Sequence, residues 1–164
     1  MYKGWRITRW DTPVVDLDRL LMVSLTDAQR ELVVVVEEHN SSRRRWRVRF
    51  HDYPAYRNID EMHRTSLWRW LDESKQRCGN TFIVDEQPRL ASWGCLDFDQ
   101  RHFVIVTSDD VVEVVSGAEP IWEAIEAGGV DDPPPGKSTH LHLGEDDEKI
   151  ERLMEDLKSR KKPH

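Results

Sequence analysis

The apolar and polar positions of the chain define three strand-like runs, at residues 32–36, 46–50 and 102–115. The first, Leu-Val-Val-Val-Val, is apolar without alternation, as a central strand covered on both faces requires. The second alternates, so Trp46, Val48 and Phe50 face a core while Arg45, Arg47 and Arg49 form a row on the opposite face. The polar residues 37–42 between these runs make them a hairpin. The third run is a hairpin in itself: residues 102–107 and 111–115 flank Ser108-Asp109-Asp110, where aspartate tolerates left-handed backbone angles.

Between the hairpins the pattern predicts a helix over residues 60–75, with Asp60 as its N-cap, Met62, Leu67, Trp70 and Leu71 near one stripe, and Gly79 ending it. Residues 81–84 read as a short strand. Pro88 opens a brief helix to Trp93, and Pro120 opens another over residues 121–127 that stops at Gly128-Gly129. Residues 5–10 and 20–25 add strands. The order predicts an α+β domain over residues 1–130, with helices packed on a mostly antiparallel sheet built from hairpins.

Beyond Val130 the composition shifts. Residues 131–144, opening with Asp-Asp-Pro-Pro-Pro-Gly, read as a Pro-rich linker. Residues 145–162 read as a C-terminal amphipathic helix: Ile150, Leu153, Met154 and Leu157 share a face, with acids at the start and bases at the end. Such a helix needs a surface to lie on. Its own domain, a second subunit in a homodimer, or a partner protein would each supply one.

At 164 residues and 38% hydrophobic, the chain fits one ordinary domain. Its early charges and the lack of a stretch of roughly 18 apolar residues predict a soluble, cytoplasmic protein. In that compartment Cys78 and Cys95 stay as thiols. Cys78, at the C-terminal end of the expected helix, lacks the electropositive setting of a nucleophile and reads as structural. The net charge of -7 argues against general nucleic-acid binding. Seven tryptophans, a residue type favoured at recognition surfaces, point instead toward protein contacts.

The densest group of chemically versatile residues is His51, Asp52, Tyr53, Tyr56, Arg57, Asn58, Asp60, Glu61 and His63, read as a loop between a strand end and a helix start. A metal reading uses His51, Asp60, Glu61 and His63. The structural reading has Asp60 capping the helix, Tyr53 and Tyr56 anchoring the loop on the sheet, and Arg57 paired with a carboxylate. His140 and His142 give a second metal reading if that segment is extended. No zinc spacing, nucleophile elbow, phosphate loop or dinucleotide fingerprint accompanies these groups, so no cofactor is expected. The arginine row is a solvated face, with Glu37 and Glu38 pairing across the hairpin, a surface for an acidic protein partner, or a strand for single-stranded nucleic acid, the last disfavoured because the alternation turns Trp46 away from the arginines.

Phe50 with Tyr56-Arg57 and Asp60-Glu61, then residues 79–84 (Gly-Asn-Thr-Phe-Ile-Val), Ser92-Trp93 and His102-Phe103-Val104, resembles small uncharacterised bacterial single-domain proteins of toxin-immunity type. The resemblance covers about residues 30–125. It implies a bacterial binding protein and carries over no catalytic residues. The sequence therefore predicts a non-enzymatic protein-binding domain, with Arg45, Arg47, Arg49, Tyr53, Tyr56, Arg57, Asp60 and Glu61 as candidate contacts. The alternative is a small-molecule or metal-dependent enzyme built on the segment from His51 to His63.

Overall fold

The structure is a computed structural model that describes residues 6–28, 30–60, 65–76, 78–84 and 100–127. The chain runs through β1 (Ile7–Arg9), β2 (Leu20–Ala28), β3 (Glu31–Glu38), β4 (Arg45–Phe50), β5 (Ala55–Asp60), α1 (Thr65–Ser74), β6 (Thr81–Val84), β7 (Arg101–Val106), β8 (Asp110–Ser116) and β9 (Ile121–Ile125). The strands form two sheets, one ordered β1-β6-β7-β8-β5 and the other β2-β3-β4-β9. Every pairing is antiparallel.

The two sheets pack face to face. Phe103, Ile105, Val112 and Val114 from the first share one core with Leu32, Val34, Val36, Trp46, Val48 and Phe50 from the second. Phe103 sits at its centre, with ring centroids 6.0 Å from Phe50 and 4.9 Å from Trp10. The opposite face of β7 and β8 is apolar too. There Val104 and Val111 join Phe82, Val84 and Leu67, the last from α1, in a second cluster. Coverage on both faces is why residues 102–115 show no alternation.

Turn chemistry fixes the connections. In the first hairpin the Asn40 Oδ1 accepts from the Ser42 and Arg43 amides at 2.9 and 3.2 Å. In the second, Thr107 Oγ1 accepts from the Asp110 amide at 2.9 Å, and the Thr107 amide donates to the Asp110 carbonyl at 2.8 Å. Gly79, at φ 77°, lies so close to Val15 that a Cβ would come 2.2 Å from its carbonyl oxygen. That approach lets Asn80 Nδ2 donate to the carbonyls of Val14 (3.1 Å) and Leu17 (2.7 Å), tying the turn after β1 to the start of β6.

The architecture corrects the expected α+β class: the described residues hold two antiparallel sheets and one short helix. Residues 121–125 are a strand, not a helix. Ile121, Trp122 and Ile125 suit a helical stripe, but Trp122 and Ala124 on one side and Ile121, Glu123 and Ile125 on the other suit a strand equally, and pairing with β4 decides between them. Asp60 is the last residue of β5, opposite Asp110, and not the opening residue of a helix. The described helix, Thr65–Ser74, ends before Lys75, which stands at φ 56°, while Gly79 belongs to the following turn. Of its expected stripe, Leu67, Trp70 and Leu71 lie in the second cluster, and Met62 lies outside the described residues. The brief helix at 88–93, the linker and the C-terminal helix lie outside the described residues.

Candidate functional site

The alternation in β4 is realised, with Trp46, Val48 and Phe50 buried and the three arginines on the outer face of the four-stranded sheet. Register sets three cross-strand rows on that face: Glu37, Arg45 and Ile125; Val35, Arg47 and Glu123; Val33, Arg49 and Ile121. The three arginines are not equivalent.

Arg45 is a structural residue. Its side chain is 13% exposed and its Nε donates to Glu37 Oε2, while Arg43 Nε donates to the other Glu37 oxygen at 2.9 Å. Burial pushes the Glu37 carboxyl upward, but the hydrogen bonds from Arg45 and Arg43 outweigh it and hold the group below its ordinary range. Beside it, a hydrogen bond from Arg44 (2.8 Å) holds the Glu38 carboxyl down as well. Arg44 in turn lies over the Trp46 ring, 5.4 Å from its centroid. A cleft of about 310 Å³ lined by Leu21, Glu37, His39, Asn40 and Arg43 borders this end, at the lower limit of volumes that hold small ligands.

Exposure rises along the strand, to 32% at Arg49. Arg47 Nη1 and Arg49 Nη2 each lie 3.5 Å from the same oxygen, Glu123 Oε2. These contacts are longer than the roughly 2.7–2.9 Å of a charge-assisted hydrogen bond. Ile121, the cross-strand partner of Arg49, is 46% exposed, and no other large hydrophobic among the described residues is that open.

The segment from His51 to Asp60 is not one loop. β5 intervenes and carries His51 and Asp60 to opposite ends of a six-residue strand, so the structure does not bring this pair of the metal reading together. His51 Nδ1 instead lies 3.2 Å from Glu31. Glu61, His63, His140 and His142 lie outside the described residues, as does Cys95. Among the described residues no group of three or more His, Cys, Asp or Glu is placed to hold a metal ion.

Tyr53 and Tyr56 do anchor this segment: their rings pack edge to face at 6.0 Å, and Tyr53 Oη donates to Asp27 on β2. Burial first, and the Asp27 carboxylate second, push the Tyr53 phenol up to about 12. Arg57 has its carboxylate, which is Glu113. Its Nε and Nη2 donate to Glu113 Oε2 at 3.0 and 2.7 Å, and His102 Nε2 lies 3.1 Å from the same oxygen. This buried cluster binds β5, β8 and β7 together on the face away from the main core. Sequence reasoning missed Glu123 by assigning it to a helix. It also missed Glu113, although one acid inside an otherwise apolar strand is a visible sign of a buried ion pair.

No family model matches the sequence, and no curated protein or solved structure matches it. No helix among the described residues is long and apolar enough to cross a membrane.

Proposed function

We propose that this chain is a cytoplasmic bacterial protein-binding domain of immunity type, which engages an acidic protein partner through the outer face of its four-stranded sheet. The contact centres on Arg49 and Ile121, flanked by Arg47 and Glu123. The observation that carries this reading is the cross-strand pairing of an accessible arginine with the most exposed large hydrophobic of the described residues. Arginine beside an apolar anchor is the composition of interface hot spots rather than of an inert solvated face. Arg45, being committed to Glu37, supports the sheet and stands outside the contact.

Charge reversal tests the proposal. With Arg47→Glu and Arg49→Glu together, a companion recovered from the host by the wild-type chain is lost while the circular dichroism spectrum is unchanged. Retention of that companion by the double variant refutes the surface. Asp109→Lys, at the exposed tip of the β7–β8 hairpin, serves as the control that keeps binding.

A further inference from the structure

Among the described residues each sheet has two edge strands, and an unprotected edge is a template for another strand. Three of the four edges carry a recognised form of protection. β1 is only three residues long. β2 breaks register between Met22 and Ser24. β5, Ala-Tyr-Arg-Asn-Ile-Asp, carries two charged residues and an asparagine among its six. β9 has neither bulge nor proline, and four of its five residues, Ile-Trp-Glu-Ala-Ile, are apolar. Its one charge, Glu123, is a poor gatekeeper, because two guanidinium groups lie 3.5 Å from its carboxylate.

We infer that β9 pairs with the β9 of a second copy of this chain, antiparallel about a two-fold axis through Glu123, so that two four-stranded sheets become one of eight strands. The sequence of the strand is self-complementary under that operation. Residue 121 meets 125 of the other copy on the outer face, giving two isoleucine pairs. Residue 122 meets 124 on the inner face, setting the bulk of each Trp122 against a small Ala124. A two-fold interface requires this matching of a surface with itself. The two Glu123 carboxylates come opposite each other, an arrangement that is unfavourable in isolation. Here Arg47 and Arg49 of both copies surround them, four cations to two anions. The pairing also sets two arginine rows on one continuous face, although it stands whether or not that face binds a partner.

Sedimentation of the full chain over a dilution series tests this. A dimer is expected for the wild-type chain and a monomer for Ile121→Lys, a substitution at a position open enough to leave the fold intact. A wild-type monomer throughout, or a dimer that survives Ile121→Lys, overturns the inference. As a second test, Glu123→Cys places a thiol on the two-fold axis, where mild oxidation links two chains 123 to 123. Asp109→Cys, treated alike, stays unlinked. Equal linkage of the two variants, or none at 123, overturns the inference as well.

Discussion

Arg57 and Glu113 are direct cross-strand partners on β5 and β8, and the guanidinium closes on a single carboxylate oxygen at 2.7 and 3.0 Å in a setting where Glu113 is 2% exposed. A charge this well enclosed is costly to leave alone. Glu113→Ala is expected to lower stability by about 3–5 kcal/mol, because it removes the buried carboxylate on which Arg57 and His102 converge. Replacing Arg57 and Glu113 together with methionine should cost less than the sum of the two single changes, giving a coupling of at least about 1 kcal/mol in a chemical-denaturation cycle. Additive losses would show that the two side chains do not act as a pair.

Gly79 and Asn80 together hold the turn after β1. Gly79→Ala forces a Cβ onto the Val15 carbonyl and a side chain into left-handed backbone, for an expected loss of at least about 2 kcal/mol. Asn80→Ala removes two donors from the partly buried carbonyls of Val14 and Leu17 and should cost about 1–3 kcal/mol. Denaturant midpoints report both. A neutral Gly79→Ala would mean that the turn adopts another path.

Glu37 makes stability depend on acid. Its carboxyl titrates lower in the folded chain than in the unfolded one, so the unfolded state binds more protons as pH falls past the ordinary value of 4.5. The contribution is complete above that value and disappears as pH drops through the depressed folded one. Glu37→Gln is expected to lower stability at neutral pH and to flatten the decline below about pH 5. An unchanged slope in the variant would assign the acid sensitivity to other groups.

Tyr53 should be the last tyrosine of this segment to ionise, near 12, with Tyr56 also raised above its ordinary range. Ultraviolet absorbance during alkaline titration follows the phenolates directly. Tyr53→Phe should remove the latest step. Asp27→Asn should bring it to lower pH, since it takes away the negative charge beside the phenol while keeping an amide oxygen to accept its hydrogen bond. If Asp27→Asn leaves the step in place, burial alone accounts for it.

Legibility in the sequence followed the physics of each element. Both hairpins could be read because residues 32–36 and 102–115 are apolar enough to demand burial on two faces, and because residues 46–50 alternate without exception. β9 could not be read alone, since Ile121, Trp122 and Ile125 satisfy helical and strand spacing alike and only the partner strand β4 separates them. β5 was hidden for a different reason. Arg57, Asn58 and Asp60 look like loop residues until Glu113 and Asp110 on the neighbouring strand give them partners. The arginine row is visible in β4, as is its pairing with glutamates across the hairpin, but that Arg45 is the one that meets Glu37 depends on register, and the position of Glu123 between Arg47 and Arg49 depends on β9.

The most direct test of the protein-binding reading is native mass spectrometry of the gently purified chain from its own host, wild type beside the Arg47→Glu, Arg49→Glu variant. A stoichiometric protein companion is expected on the wild-type chain and is expected to be absent from the variant. A wild-type spectrum containing this chain alone, or this chain with the added mass of a metal or metabolite, would contradict that reading, as would a companion bound equally by both.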